Sequence, residues 1–229
     1  IALGDWHTCA ITNDNKLKCW GWNYYGQIGD GTTTYRNPPT TIDLGYNVYA
    51  EGLNVYAIKV ALGGLHTCAI TNDNMLKCWG RNYFGQIGDG TTTRRYLPTT
   101  IDLGLNVFVQ ECWGDNSNGQ IGDGTTTQRN LPTTIDLGLN VYPLEVALGD
   151  WHTCAITNDN KLKCWGNNWD GQIGDGTTTH RNLPTTIDLG LNVYPLKVAL
   201  GEEHTCVITN DNMLKCWGYN GWGYLCHYK

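Results

Sequence analysis

The sequence predicts an all-β fold, a β-propeller built from four-stranded blades. Three observations predict it: the composition, the turn residues and an internal repeat. The 229 residues include 29 Gly, 10 Trp and 13 Tyr but only 2 Met and 2 Phe, which is typical of short strands joined by turns. Segments rich in Asn, Asp and Gly recur between these strands, and the repeat has the length of one four-stranded blade.

The repeat is marked by the tripeptide Cys-Trp-Gly. It begins at Cys19, Cys78, Cys112, Cys164 and Cys216. The spacings are 59, 34, 52 and 52 residues, so the basic unit has 52 residues. The longest spacing contains a seven-residue duplication, GYNVYAE before GLNVYAIKV. The shortest lacks 18 residues, because FVQECWG follows Val107 directly. Either the gene carries this deletion, or the segments that meet at Val109-Gln110 are not contiguous.

These spacings predict a single propeller over residues 1–229. Its units are approximately 1–59, 60–109, 110–146 (truncated), 147–197 and 198–229 (partial). Within the first unit we expect four strands, at residues 2–12, 16–21, 39–44 and 54–62, with the Gly-rich loop NYYGQIGDGTTT between the second and the third. A solenoid is the alternative, but solenoid repeats are usually shorter or helical.

The first two strands place the cysteines opposite one another. A three-residue turn, Asn13-Asp14-Asn15, joins them, and Asn tolerates the left-handed conformation that the last turn position requires. Cys9 then faces Cys19 in a non-hydrogen-bonded pair, where Cα atoms approach to about 4.5 Å, within disulfide range. The same register predicts the disulfides Cys68–Cys78, Cys154–Cys164 and Cys206–Cys216. Free thiols remain an alternative, as does zinc binding, although this spacing lacks the close pairs of structural zinc sites.

Two cysteines are left over. Cys112 has lost its partner with the deleted segment, and Cys226 stands where other units carry Gly. Their pairing with each other, with missing segments or between chains stays open. Because disulfides persist in oxidising compartments, the four predicted bridges indicate an extracellular or cell-surface protein.

The net charge and the hydropathy pattern argue against two roles, nucleic-acid binding and membrane spanning. The net charge is −6, whereas nucleic-acid binding needs a concentrated basic face. No run of 18 apolar residues is present, so we expect no membrane span. The sequence starts inside a repeat, at IALGDWHTC, which suggests a mature product or a fragment; the absence of a signal peptide therefore carries no information about secretion.

The motifs HTCAI and CWGxNxxGQIGDGTTT resemble the repeats of the regulator of chromosome condensation family, in a disulfide-containing extracellular variant. The resemblance covers essentially the whole chain. It implies a seven-bladed propeller, whereas this chain holds about four and a half units and cannot close such a ring alone. Further blades, missing segments and association of chains are three explanations.

No residue pattern indicates catalysis, a metal site or a cofactor. The histidines recur in every complete unit, at His7, His66, His152 and His204. A catalytic residue is needed only once, so we expect these side chains to be structural hydrogen-bonding groups. The acids of the GDG turns recur in the same way and lack the dense alternate-position carboxylates of calcium loops.

Three sets of positions vary between otherwise similar units: before the His, after Cys-Trp-Gly, and after Gly-Thr-Thr-Thr. Loops at the same offset in each blade lie on a common face of a propeller, and Tyr, Trp and Arg are enriched in recognition surfaces. The residues predicted to form a binding surface are Trp22, Tyr24, Tyr25, Arg81, Tyr83, Phe84, Trp169, Asp170 and Trp222. The alternative is that these positions vary because little constrains them.

The main functional hypothesis is a secreted, non-catalytic module that is structural or binds a protein or glycan surface. Self-association in a surface fibre or extracellular matrix belongs to the same hypothesis. The resemblance also implies an alternative, an intracellular regulator like the family's guanine-nucleotide exchange factor, which docks on chromatin. A photoreceptor role, implied by resemblance to plant members, is supported by Trp6 and Trp151 but interrupted at Leu65 and Glu203.

Overall fold

The computed structural model describes residues 1–45, 54–103 and 111–221, and every helix or strand assigned in these ranges is a β-strand. The predicted all-β class is confirmed. Contacts divide the chain into two compact units. The first comprises Ile1–Val107 with Arg129–Pro132, and the second comprises Phe108–Gln128 with Thr133–Lys229.

Two four-stranded antiparallel sheets lie in the first unit. One contains β1 (Ala2–Leu3), β2 (His7–Ile11), β3 (Leu17–Gly21) and β4 (Arg36–Thr41). The other contains β5 (Ala57–Leu62), β6 (His66–Thr71), β7 (Leu76–Gly80) and β8 (Arg95–Ile101). Strands consecutive in sequence are neighbours in each sheet, which is the arrangement of a propeller blade.

The rest of the chain repeats this pattern with two incomplete sheets. A two-stranded sheet contains β9 (Glu111–Gly114) and β10 (Arg129–Thr134). A complete sheet contains β11 (Pro143–Leu148), β12 (His152–Thr157), β13 (Leu162–Gly166) and β14 (Arg181–Ile187). A three-stranded sheet contains β15 (Pro195–Leu200), β16 (His204–Thr209) and β17 (Leu214–Gly218). Among the described residues, the two-stranded sheet has no counterparts of β1 and β2, which correspond to the segment that the 18-residue loss removes. The junction Val109-Gln110 lies outside the described residues.

The predicted assignment of strands to sheets was wrong for the last strand of the first unit. The segment 54–62 does not close the first sheet; β5 opens the second, where Val60 pairs with Ala69 and Leu62 with Thr67. This pairing is non-local, so the local pattern of residues could not reveal it.

Two further strand predictions need correction. The segment 2–12 is two antiparallel strands, because a turn at residues 4–6 folds β1 back so that Ala2 pairs with Cys9. The third predicted strand, 39–44, is β4, which begins at Arg36 and ends at Thr41.

The cysteine hairpin has the register that the turn predicts. Cys9 pairs with Cys19 and Ile11 with Leu17, and the Thr12 amide donates a hydrogen bond to the Lys16 carbonyl oxygen at 2.9 Å. Asn15 has a φ of 60°, the left-handed conformation that Asn tolerates. Cys9 and Cys19 are joined by a disulfide, with a Cα–Cα distance of 4.2 Å. Equivalent disulfides join Cys68 to Cys78, Cys154 to Cys164 and Cys206 to Cys216.

One disulfide in each unit belongs fully to its hydrophobic core. Cys9 and Cys19 are fully buried and pack with Leu17 and Ile28. Cys154 and Cys164 are fully buried with Leu162 and Ile173 in the second unit. These two bridges therefore tie their hairpins together inside the packed core, whereas Cys206 and Cys216 are only half-buried.

Cys112 is the free cysteine among the described residues. It is half-buried and packs against the cluster of Ile121, Ile135 and Trp165. Burial raises the pKa of its thiol to about 11, so little reactive thiolate forms near neutral pH. Cys226 lies outside the described residues.

Candidate functional site

A buried asparagine holds each Gly-rich loop in place. The Asn23 side-chain amide is fully buried; it donates to the carbonyl oxygens of Thr32 at 3.0 Å and Thr34 at 3.1 Å. Its side-chain oxygen accepts a hydrogen bond from the Ile28 amide at 2.9 Å. Asn82, Asn116 and Asn168 make the same contacts in their own loops. The loop backbone is therefore fixed from inside, and its variable side chains are free to face outward.

The acid of each GDG turn is engaged in the same scaffold. Asp30 accepts hydrogen bonds from the Thr32 amide and hydroxyl and pairs with the Arg36 Nε at 2.5 Å. Burial alone would raise the pKa of Asp30, but the hydrogen bonds from Thr32 and Arg36 outweigh it and hold that pKa below its ordinary value. Asp89 pairs with Arg95 and Asp175 with Arg181 in the same way. These carboxylates are structural parts of the turn.

The recurring histidines connect successive sheets. His7 Nε2 lies 2.7 Å from the Thr67 hydroxyl, and that hydroxyl donates to the Gln27 carbonyl oxygen at 2.8 Å. Because the hydroxyl proton is used in this way, His7 Nε2 must be the donor. The Trp79 indole donates to the same Gln27 oxygen at 3.0 Å.

The second unit repeats this connection. His152 Nε2 lies 2.9 Å from the Thr205 hydroxyl, and Thr205 and Trp217 both donate to the Gln172 carbonyl oxygen. Burial, the largest cause, lowers the pKa of His7, His66 and His152 to about 4. These three histidines therefore stay neutral near pH 7, and His7 and His152 serve as structural hydrogen-bond donors.

The variable residues of the first loop form a packed group of aromatic rings. Trp22 stacks on Tyr24, with ring centroids 6.0 Å apart and an interplanar angle of 13°. Tyr25 stands edge-on to both rings, at 5.6 and 5.0 Å. Trp6 lies 5.9 Å from Trp22, and the Trp22 indole donates to the Tyr35 hydroxyl at 2.5 Å.

The second sheet extends this group and adds two cations. Tyr83 stands edge-on to Tyr25 at 6.0 Å. The Arg94 guanidinium carbon lies 4.8 Å from the ring centres of Tyr25 and Tyr83, and that of Arg81 lies 5.3 Å from Tyr83 and 5.2 Å from Phe84. These distances are in the range of cation–π attraction.

We call this set the aromatic–arginine cluster. It comprises Trp6, Trp22, Tyr24, Tyr25, Tyr35, Arg81, Tyr83, Phe84 and Arg94, all in the first unit. Several members are well exposed: Trp6 by 65%, Tyr24 by 53% and Tyr35 by 59%. The cluster thus offers large, rigid, partly apolar rings with hydroxyl and guanidinium donors at their edges, which suits recognition of another molecule.

The structure brings together six of the nine residues predicted for a binding surface. Trp169 and Asp170 lie in the second unit, where Trp169 is 71% exposed and contacts only one other ring among the described residues, His180, at 5.1 Å. Trp222 lies outside the described residues. Trp6, Tyr35 and Arg94 were not in the predicted surface, although each stands at one of the variable positions, which was the available signal.

The described ranges contain neither a cluster of metal ligands nor a membrane-spanning helix. Within them, no group of three or more His, Cys, Asp or Glu side chains is arranged to hold a metal ion. Across the same ranges, the structure contains no helix long and apolar enough to cross a bilayer.

Antiparallel four-stranded sheets with rigid Gly-rich loops and sheet-to-sheet Trp and Thr contacts define a β-propeller repeat protein. The chain belongs to the regulator of chromosome condensation repeat family. Two sequence models of that repeat match the chain. One matches residues 1–27, 57–86, 145–172 and 196–223, and the other matches residues 112–156 and 159–208.

Relatives with the same repeat are considerably longer than this chain. The chain is 29% identical to the ultraviolet-B receptor UVR8 of Arabidopsis thaliana, covering 95% of this chain and 40% of the receptor. It is also 29% identical to the probable E3 ubiquitin-protein ligase HERC4 of Homo sapiens, covering 98% of this chain but 18% of the ligase. Yeast RCC1 (Prp20), solved bound to Kap60, superposes with a TM-score of 0.78 at 21% identity, over 98% of this chain and 56% of that one. This last likeness shows the shared fold.

Proposed function

We propose that this chain is a non-catalytic protein-binding module that works in an oxidising compartment outside the cytoplasm. The aromatic–arginine cluster carries the proposal, because seven aromatic rings and two arginines converge there on an otherwise repetitive scaffold. Tyr, Trp and Arg are the residue types that contribute most to binding energy at protein interfaces.

Export is supported by the cysteines. Four hairpins each carry a fully formed disulfide, and such bonds are rare in proteins of the reducing cytosol. The alternative of a chromatin-bound intracellular regulator fits less well, because a net charge of −6 opposes binding to nucleic acid.

Protein binding is favoured over a purely structural role by the unequal distribution of the aromatic rings. Among the described residues they gather in the first unit, whereas the loop at 167–180 in the second unit offers Trp169 and His180. The solved complex of yeast RCC1 with Kap60 supports the same conclusion, since it is a propeller of this fold bound to a protein. A glycan partner and self-association remain outcomes of the tests below.

A photo-crosslinking experiment tests the proposal. A benzophenone amino acid replaces Tyr24 within the cluster or, as a matched control, Tyr142 in the second unit; the two tyrosines are 53% and 54% exposed. Irradiation of the protein in its natural cell-surface or culture-medium fraction should join a distinct protein to the Tyr24 variant and not to the Tyr142 variant. Equal products from both variants, or none from either, would contradict the proposal.

A further inference from the structure

We propose that the partner presents carboxylates to Arg81 and Arg94, so that the aromatic–arginine cluster is a docking site for an acidic protein segment. This inference rests on the proposed function and names the chemistry of the partner. It starts from two cations that share a pair of ring faces, Tyr25 and Tyr83, and that have no carboxylate partner among the described residues.

Three other arginines of these loops differ from Arg81 and Arg94 in having a carboxylate partner. Arg36, Arg95 and Arg181 occupy the scaffold position and each pairs with its own turn aspartate. Arg81 and Arg94 stand at variable positions, and the described part of the chain supplies ring faces but no anion for them. The scaffold thus satisfies its own cations and leaves two others available.

Arg81 gives the stronger evidence for an anionic partner. Its Nε atom is buried and has no hydrogen-bond acceptor in the described structure. A buried donor without an acceptor is costly, and the cost is greater when the group is charged. An arriving carboxylate could make a planar, two-point contact with the terminal nitrogens of a guanidinium and so offset the charge of this partly buried group.

The surroundings favour a protein segment as the source of that carboxylate. Exposed Tyr24 lies beside Arg94, and exposed Trp6 and Tyr35 contact Trp22 in the same cluster. These rings provide apolar area for side chains next to an Asp or Glu. Phosphate-rich nucleic acid is a poor fit, because stable binding there draws on about six to ten phosphate contacts and the cluster contains two arginines. The expected motif is therefore an acidic residue flanked by apolar or aromatic ones.

Peptide selection tests this without knowledge of the natural partner. Random 12-residue peptides displayed on phage are selected on the unmodified chain, and binders that also bind the Arg81→Gln/Arg94→Gln variant are removed. We expect the remaining peptides to be enriched in Asp and Glu. A synthetic copy of the leading peptide should bind the double variant at least about tenfold more weakly, the loss expected for one charge-assisted contact.

Charge-matched and fold controls make the result specific. Lys59→Gln/Lys197→Gln removes two exposed cations that are not members of the cluster and should change peptide affinity less than twofold. Circular dichroism must show both double variants folded. Equal loss in the two variants would overturn the inference, because it would indicate general charge attraction.

Other outcomes separate this inference from the proposed function. Peptides that bind through the cluster, as shown by loss on Tyr24→Ala, but that carry no acidic residues would overturn the carboxylate site and leave protein binding intact. A parallel arm uses oligogalacturonate fragments as acidic sugars. If these bind through Arg81 and Arg94 while no peptide is selected, both proposals are overturned in favour of a glycan partner.

Discussion

His7 and His152 are two buried side chains whose protonation would destabilise the fold. Each ring is buried, donates from Nε2 to a threonine of the next sheet, and has no partner at Nδ1. A proton added at Nδ1 would place an unpaired charge inside the protein, which is unfavourable. Burial accordingly lowers the pKa of these side chains, and of His66, to about 4.

This arrangement predicts a loss of stability in mild acid. Below pH 6.5 the unfolded chain binds protons that the folded chain does not, so the free energy of unfolding falls as the pH falls from 6.5 to about 4, and these histidines add no further loss below that. Each of these histidines accounts for about 3 kcal/mol of the fall in the free energy of unfolding over this pH range. Denaturant unfolding at several pH values measures the slope, which His152→Gln should reduce. An unchanged slope in that variant would show that this histidine is not responsible.

The last asparagine of each hairpin turn is a second residue with a defined physical role. Asn160 has a φ of 60°, which costs most side chains about 1–2 kcal/mol. We expect Asn160→Val to lower the free energy of unfolding by about that amount and Asn160→Gly to change it little, because glycine adopts this conformation freely. Thermal denaturation of the two variants measures the difference. Equal effects of Val and Gly would contradict this role.

The cysteine hairpin is the structural element that the sequence predicts most completely. A short turn fixes which residues face one another, so the pairing of Cys154 with Cys164 follows from positions a few residues apart. The sheet to which β5 belongs could not be predicted in the same way, because β5 pairs with β6 and not with a strand of the preceding sheet. The convergence of Trp6, Tyr35 and Arg94 on one cluster depends on how loops of successive sheets meet, which is also a non-local property.

Removal of one hairpin disulfide measures what the bridge contributes. Cys154→Ala/Cys164→Ala should lower the free energy of unfolding by up to about 3 kcal/mol, because the closed loop of the unfolded chain becomes unrestricted. Cys112→Ala is the control, since Cys112 forms no disulfide with the described residues. Guanidinium denaturation of both variants provides the comparison. A loss in the control as large as that in the double variant would point to packing as the cause.

At the scale of the whole molecule, the disulfides and the aromatic–arginine cluster are distributed differently. Hairpin bridges occur in both compact units, whereas the aromatic–arginine cluster is confined to the first. In the proposed function, the repeated framework provides a stable scaffold and the departures from the repeat provide binding specificity.

The central claim is that the chain folds and works as a disulfide-bonded propeller in an oxidising compartment. Titration of free thiols tests it most directly, on protein taken from its natural source with thiols blocked at harvest and counted after denaturation. Of the 10 cysteines, eight form the four hairpin bridges. The account predicts at most two blocked thiols per chain, at Cys112 and Cys226. Close to ten blocked thiols would contradict it.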